Sequence, residues 1–282
     1  MKVGFIGAGK AGCSLGKYFA TKADRQELEV TGYYSLKEED AVWAAAFTES
    51  ACFRTAEEVM AASDTIILST PDGAVKHVWE SCNKENGRGK IICHLSGSLS
   101  SDVFSGIEQY EAYPLSIHPM FAFSSREFVY QQLNEVSFTL EGHVQAVTVW
   151  RSLLTTLGNP VIEIEKDVKP KYHAAASLLS NHVVAVLSAG YELLCQCGFT
   201  EEQARSASSA LVRDNVEHVI CQGAAEALTG PVERADVETI QRHLSVLEDL
   251  QRGIYLSCGR ELVRLAKQKN PDRDYEKTED LF

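Results

Sequence analysis

Five polar side chains recur on one face of a helix that the sequence predicts over residues 172–197, and they include three that could do chemistry: His173, Ser177 and Asn181. They fall into one stripe because an α-helix turns by about 100° per residue. A histidine can donate a proton near neutral pH, and a hydroxyl and an amide can orient a bound molecule. We therefore predict a catalytic role for all three, with His173 as the proton donor. The alternative is a stripe that is hydrogen-bonded inside a helical bundle or a dimer interface.

A second histidine, His118, is followed by Pro119 at the end of a predicted strand. The ring of Pro119 restricts the backbone directly after His118. His118 is therefore the second candidate residue for a role in the cleft. A purely structural histidine is the alternative. The remaining histidines have no ligand spacing with a neighbouring acid, so we expect no metal site.

The first residues of the chain form the element that would position this chemistry. Residues 3–6 are a predicted buried strand, and Gly7, Gly9 and Gly12 then give the spacing G-x-G-x-x-G before a predicted helix. A strand, turn and helix of this kind bind the diphosphate of a dinucleotide at the helix N-terminus. We predict that the whole turn binds the cofactor, including the residues between the glycines: Ala8, Lys10, Ala11. A glycine-rich turn of another α/β protein is the alternative.

The end of the second predicted strand indicates which cofactor is bound. A carboxylate there would bind the ribose 2′-hydroxyl of NAD and repel a 2′-phosphate. This sequence has Ser35 and Lys37 instead, and a hydroxyl and an ammonium suit a 2′-phosphate. We therefore predict NADP binding, with NAD less favoured. The alternative for Ser35 is that it caps the helix beginning near Lys37.

Two further strand ends carry polar residues that we assign to the cofactor crevice. The first strand ends in Ser69, Thr70 and Pro71, and the second is followed by Ser96. Ligands of open parallel sheets lie beyond such carboxyl ends. We expect these four residues to contact the cofactor.

The order of elements predicts an α/β protein with an all-α C-terminal domain. Strands and helices alternate up to about residue 165, which is typical of a doubly wound parallel sheet of the Rossmann type. Strand signals then stop, and helices are predicted over three ranges: 172–197, 201–222, 237–267. We predict a dinucleotide-binding domain over residues 1–165 and a helical substrate or dimerisation domain over residues 166–282. Residues 270–282 are charged and predict a loose tail.

Composition narrows the class of protein. The 282 residues carry a formal net charge of -12, which argues against a nucleic-acid partner or an anionic membrane. No run of 18 apolar residues occurs, so we expect no membrane partner and a cytoplasmic protein. Eight cysteines without a C-x-x-C pair indicate reduced thiols rather than a disulfide or zinc framework.

The combined motifs resemble a known family. Besides the glycine turn, the segments Ser-Thr-Pro-Asp, Leu-Ser-Gly-Ser and Ile-His-Pro-Met-Phe are followed by Tyr-His-Ala-Ala-Ala and Leu-Thr-Gly-Pro-Val. This order resembles Rossmann-like proteins whose C-terminal half is the DUF2520 domain. More distantly it resembles folds of the 6-phosphogluconate dehydrogenase type, which include 3-hydroxyisobutyrate dehydrogenase and pyrroline-5-carboxylate reductase. The resemblance implies an NADP-binding domain, a helical domain and a homodimer formed through the C-terminal helices.

The resemblance also bears on the candidate catalytic residues. The related hydroxy-acid dehydrogenases use a lysine and an asparagine four residues apart on the equivalent helix. His173 and Ser177 have that spacing here, while Lys169 and Lys171 lie before it. The His-Pro-Met-Phe segment at His118 is similar to a motif of prephenate dehydrogenases in which the histidine contacts the substrate hydroxyl, and this resemblance implies a catalytic role for His118.

We expect an NADP-dependent oxidoreductase that acts by hydride transfer on a small carbonyl, imine or hydroxy-acid substrate. Two alternatives remain at this point. One is an NADP-binding protein that senses redox state without catalysis, and the other is a relative of prephenate dehydrogenase.

Overall fold

A computed structural model describes all 282 residues, Met1–Phe282. It contains one eight-stranded sheet, in which the order of the strands is β3-β2-β1-β4-β5-β6-β7-β8. Its strands are β1 (Lys2–Ile6), β2 (Glu29–Tyr34), β3 (Ala51–Cys52), β4 (Thr65–Leu68), β5 (Ile91–His94), β6 (Tyr113–Pro119), β7 (Phe138–Gly142) and β8 (Val161–Glu163). The pairings from β3 to β6 are parallel, β7 runs antiparallel to β6, and β8 is parallel to β7. The predicted Rossmann-type sheet is confirmed, with two antiparallel additions at one edge.

Helices cover both faces of this sheet. They are α1 (Lys10–Lys22), α2 (Glu38–Thr48), α3 (Ala56–Ala62), α4 (Asp72–Ser81) and α5 (Val144–Thr156). Successive residues of one strand belong to different apolar clusters: Ile67 joins one, and Ile66 and Leu68 join the other. Alternate side chains of a strand point to opposite faces, so each face has its own core. This explains why β4 and β5 are buried throughout and mostly apolar, rather than alternating between apolar and polar residues.

The C-terminal part of the chain is helical, as predicted. It contains α6 (Lys169–Ser177), α7 (Val183–Gln196), α8 (Glu201–Gln222), α9 (Ala224–Ala227), α10 (Val237–Val246), α11 (Asp249–Lys269) and α12 (Glu276–Glu279). The chain divides into two compact units, Met1–Ser180 and Asn181–Phe282. The predicted boundary at residue 165 lies just after the last strand, while α6 is part of the first unit.

Three details of the predicted C-terminal part are wrong. The helix expected over residues 172–197 begins earlier, at Lys169, and has a π turn over Leu178–His182. The helix expected over residues 237–267 is two helices, since Leu247 and Glu248 separate α10 from α11. The expected loose tail is packed: Tyr275 and Thr278 are buried there.

The helices α7 and α8 expose much apolar surface. No residue of α7 is buried, and Ala204 alone is buried in α8. Residues Lys166–Gln196 form a helical stretch that is long and apolar enough to cross a membrane by length and composition alone. Within this stretch, none of the residues in the most apolar 18-residue segment is buried by the rest of the chain. An apolar surface of this extent is unusual for a chain without a partner.

Candidate functional site

The glycine turn has the close packing that its sequence predicts. Gly7 has a φ of +107°, a conformation that favours glycine, and a Cβ there would lie 2.9 Å from the Ser69 carbonyl group. A Cβ on Gly12 would lie 2.3 Å from Oγ of Ser69. Gly9 differs, because the nearest atom to its Cβ position would be 3.8 Å away. The outer side of the turn is therefore open at Gly9, where a diphosphate would approach.

The N-terminus of α1 is suited to an anion. Gly9 is its N-cap residue, and no side chain caps the helix. No acidic residue stands in the first turn, which contains Lys10 and Ala11. The backbone N–H groups and the helix dipole are thus available to a negatively charged ligand. Ala8 is buried beneath the turn, where its carbonyl accepts a hydrogen bond from the Cys13 thiol.

The end of β4 lies beside this turn, because β1 and β4 are neighbours and parallel. The hydroxyl of Ser69 donates to the Gly7 carbonyl at 2.8 Å, so Ser69 shapes the turn. The Oγ1 atom of Thr70 is buried and has no hydrogen-bond partner within the chain. A buried hydroxyl without a partner is costly, which a bound polar ligand would relieve. Pro71 follows as the N-cap residue of α4.

The end of β2 reaches the same edge of the sheet. Gly7 donates its N–H to the carbonyl of Tyr34 at 2.7 Å, which places Ser35 next to the glycine turn. The N-cap residue of α2 is Lys37, without a side-chain hydrogen bond. The alternative that Ser35 caps this helix is therefore wrong. Lys37 is exposed and forms no salt bridge, so its ammonium is available to a phosphate.

His118 and His173 come together within the first unit. Their ring centroids are 6.2 Å apart, and the rings are nearly perpendicular at 85°. A Cβ added to the buried Gly97 would lie 2.6 Å from Nδ1 of His173 and 2.8 Å from Nε2 of His118. Gly97 follows β5, and His118 is near the end of β6, so both lie at the carboxyl edge that carries the glycine turn. Two imidazoles therefore share one small space above Gly97.

Hydrogen bonds fix the orientation of His118. The hydroxyl of Tyr172 lies 2.6 Å from Nδ1 of His118 and accepts a hydrogen bond from Thr139 at 2.9 Å. The Tyr172 hydroxyl has a single proton, and we assign it to a hydrogen bond to Nδ1 of His118. The proton of the neutral imidazole is therefore on Nε2. Burial, followed by the charge of Lys169, lowers the pKa of His118 to about 4. His118 is thus a neutral hydrogen-bond donor at neutral pH.

The turn that carries Gly97 is held by its own polar groups. The hydroxyl of Ser96 donates to Asp72 at 2.7 Å and accepts from the backbone N–H groups of Ser98 and Leu99. The N–H of Ser96 donates to Nδ1 of the buried His94 at 3.1 Å. The Ser96 side chain therefore shapes the turn, and its predicted contact with a cofactor stays a prediction.

The other two residues of the predicted stripe, Ser177 and Asn181, lie farther along the same helical stretch. Ser177 is half-buried, one helical turn after His173 in α6, whereas Asn181 is exposed within the π turn. A π turn has more residues per turn than an α-helix, so the spacing of about 100° per residue ends at Ser177. Their predicted roles in orienting substrate stay predictions.

Sequence reasoning did not assign a role to three side chains that the structure brings to the site. These are Tyr172, Thr139 and Lys169. Lys169 had a signal in the sequence, because it stands four residues before His173 and helical residues at that spacing share a face. Thr139 had none, since its contact with Tyr172 depends on the packing of β7 against α6.

Two domain families match the chain. The Rossmann-like domain matches residues 1–119, and the domain of unknown function DUF2520 matches residues 136–262. Among curated proteins, no relative matches the chain. The first match ends with β6 and therefore contains all the strands that meet in parallel around the glycine turn.

Solved structures share the fold over nearly the full length. A putative NADP oxidoreductase from Bacteroides fragilis is 22% identical, with a TM-score of 0.72, over 93% of this chain and 98% of that one. A protein from Thermotoga maritima is 20% identical, with a TM-score of 0.72, over 95% and 99%. An imine reductase from Myxococcus stipitatus in complex with NADP+ is 16% identical, with a TM-score of 0.65, over 95% and 93%. The chain thus carries a Rossmann-like domain followed by a DUF2520 domain.

Proposed function

We propose that this chain is an NADP-dependent oxidoreductase that acts on a small carbonyl or imine compound, or on the matching hydroxy acid or amine. The observation that carries the proposal is the convergence of His118 and His173 on Gly97, at the sheet edge that also carries the glycine turn. The imine reductase and the Bacteroides fragilis protein, whose names refer to reduction and to NADP, support the same class of reaction.

The residues present fit the cofactor. The open side of the turn at Gly9 and the uncapped N-terminus of α1 would hold the diphosphate. Lys37 and Ser35 would hold a 2′-phosphate. The cofactor would also give the unpaired hydroxyl of Thr70 a hydrogen-bond partner. When bound, the cofactor supplies or accepts the hydride.

Two histidines, His118 and His173, would bind the reacting atom of the substrate and transfer its proton. The Nε2–H group of His118 faces the space above Gly97, where it would hydrogen-bond a carbonyl oxygen or an imine nitrogen. His173 is exposed to solvent, so it would donate the proton to that atom and regain one from water. Ser177 and Asn181 would orient the rest of the substrate. In the oxidative direction His173 would accept the proton.

Cofactor binding is tested first, with Gly9→Ala. Gly9 has a φ of -76°, which alanine also adopts, and its Cβ position is free of close contacts. The protein should fold normally, but the methyl group would occupy the space of the diphosphate. We expect the affinity for NADPH, measured by calorimetry, to fall at least about tenfold. Gly73→Ala on α4 is the matched control, because its Cβ would meet no atom within 4 Å. Equal NADPH affinity in both variants would contradict the assigned cofactor site.

Catalysis is tested by NADPH oxidation across a panel of cyclic imines and 2-oxo acids. We expect turnover with at least one class, and a loss of about 100-fold or more in kcat in His118→Ala and in His173→Ala. Lys171→Met is the control, since Lys171 is exposed on α6 and its side chain forms no salt bridge. Tight NADPH binding without turnover on any compound would contradict an enzyme and favour the redox-sensing alternative.

The assembly and the location are also proposals. We propose a homodimer formed through the C-terminal helices, because α7 and α8 leave apolar side chains exposed that a second copy would cover. We propose a cytoplasmic location, because all eight cysteines are free thiols, as a reducing compartment maintains them.

A further inference from the structure

Lys169 is the most deeply buried charged residue near the two histidines. It is 1% exposed, although lysine is among the residues least often buried. Its ammonium donates to the carbonyl of Ser96 at 2.9 Å and to the hydroxyl of Ser116 at 2.6 Å. It also lies 6.0 Å from the centroid of the Tyr172 ring.

No carboxylate forms a salt bridge with this ammonium. Its hydrogen-bond partners are neutral, so its burial costs free energy that an ion pair would otherwise offset. Burial lowers the pKa of Lys169 to about 8. The more distant negative charges of Glu141 and Asp72 have the opposite, smaller effect on this pKa. Lys169 is therefore still a cation at neutral pH. Its burial as a cation is more costly than that of an apolar residue of the same length, which indicates a function beyond packing.

The position of Lys169 ties three elements together. Ser96 directly precedes Gly97 in the turn after β5, and Ser116 stands two residues before His118 on β6. Lys169 itself begins α6 and lies on the helix face that also carries His173, four residues later. One ammonium thus connects the backbone segments that carry Gly97, His118 and His173.

We propose that Lys169 is a positioning residue of this site: its buried ammonium holds the Ser96–Gly97 turn beneath the two imidazoles and sets the charge that His118 faces. Its benefit to catalysis rests on the function proposed above, whereas its effect on the turn and on His118 does not. The ionisable groups that act on His118 or Lys169 come from the surrounding elements: His94 on β5, Asp72 on α4, Glu141 on β7, His173 and Tyr172 on α6.

The first test measures the titration of His118 by NMR in the full chain without cofactor. In Lys169→Met, the charge is lost while the length of the side chain is kept. We expect the pKa of His118 to rise by about one pH unit or more, because a nearby like charge no longer opposes its protonation. Lys171→Met is the matched control on the same helix, and His118 should titrate there as in the wild type. The same titration curve in both variants would overturn the proposal.

The second test needs no substitution of Lys169, so it stands even if Lys169→Met does not fold. The carbonyl oxygen of Ser96 accepts the hydrogen bond from the ammonium, so the NMR signal of the Ser96 carbonyl carbon should respond when Lys169 loses its proton. We expect an inflection near pH 8 in the wild type. A Ser96 signal that stays constant from about pH 7 to pH 11, a range that includes the ordinary pKa of lysine, would overturn the proposal.

Kinetic measurements separate this proposal from the proposed function. Where turnover is found, Lys169→Met should lower kcat at least about tenfold and leave NADPH affinity near that of Lys171→Met. Turnover in Lys169→Met equal to that of Lys171→Met would overturn the catalytic part of the proposal. If no compound is turned over by the wild type, the proposed function fails, while the two NMR tests still decide the role of Lys169.

Discussion

Gly97 leaves open the space that His118 and His173 share. An alanine Cβ there would lie 2.6 Å from one ring and 2.8 Å from the other, closer than real Cβ atoms approach their neighbours. One or both rings must therefore move. We expect Gly97→Ala to lower kcat by about tenfold or more, because misplaced catalytic groups lose much of their effect. NADPH affinity should be unchanged. Steady-state kinetics check this, and turnover equal to that of Gly73→Ala would contradict it.

The buried histidines predict how stability depends on pH. Burial is the main cause that lowers the pKa of both His94 and His118 to about 4, from an ordinary value of 6.5. Between pH 6.5 and 4 the unfolded chain therefore binds protons that the folded chain does not. Stability should fall as the pH falls through this range, by at most about 1.4 kcal/mol per pH unit for each histidine.

His118→Asn tests this pH dependence, because it removes one of the two histidines. We expect the free energy of unfolding, measured with urea at pH 7, 6 and 5, to decrease less steeply than in the wild type. His77→Asn on α4 is the control, since His77 is exposed. A slope in His118→Asn identical to that of the control would show that His118 is not held neutral by the fold.

The sequence predicts some of these residues and not others, for physical reasons. The glycine turn follows from local geometry, so its members were assigned from spacing alone. The role of His118 follows from the resemblance of its segment to a motif of prephenate dehydrogenases, and that of His173 from a polar stripe on an otherwise apolar helix. The hydrogen bonds from Thr139 to Tyr172 and from Tyr172 to His118 join residues 33 and 54 positions apart. Such contacts depend on packing that no local pattern specifies.

At the scale of elements, the central strands β1, β4 and β5 were predictable because they are buried on both faces and therefore form short, mostly apolar runs. The π turn after α6 was not predictable, because an extra residue in a helical turn leaves no signal in composition. The packed C-terminal segment was missed for a related reason. The hydroxyl of Tyr275 donates to the carbonyl of Glu233, 42 positions away, and charge patterns do not show such a contact.

A single buried hydrogen bond joins α1 to the loop before β8. The hydroxyl of Tyr18 donates to Oδ1 of Asn159 at 2.6 Å, and the amide of Asn159 donates to the carbonyls of Leu133 and Val136. Both partners are nearly fully buried. We expect Tyr18→Phe to lower the free energy of unfolding by about 1–3 kcal/mol, because Oδ1 of Asn159 would lose its donor in the interior.

Urea unfolding measures this loss. The control is Tyr130→Phe, whose hydroxyl makes only a long, exposed contact with Gln131 at 3.4 Å, so its removal should change stability by less than about 0.5 kcal/mol. Equal stabilities of the two variants would contradict the importance of the link between α1 and Asn159.

At the scale of the whole molecule, the change from a sheet to helices was visible in the sequence, because strand patterns stop near residue 165. The extent of exposed apolar surface was not. The helix predicted over residues 172–197 is mostly apolar, and Leu178, Leu179 and Val184 on it are 59%, 76% and 67% exposed. Periodicity shows that a face is apolar but not whether its own chain covers it.

This exposed surface leads to a prediction about assembly. Val184 on α7 and Ile220 on α8 are 67% and 72% exposed, and burying large apolar side chains is the main favourable contribution to association. If a second copy covers these helices, light scattering should give about twice the chain mass of 31.1 kDa.

The double variant Val184→Glu with Ile220→Glu should be monomeric, because two carboxylates would be buried without partners. Val144→Glu on α5, where the side chain is 70% exposed, should remain dimeric. A monomeric wild type would contradict the homodimer. Sedimentation of the wild type with lipid vesicles would also contradict it, since a membrane would then be the surface that covers the apolar helices.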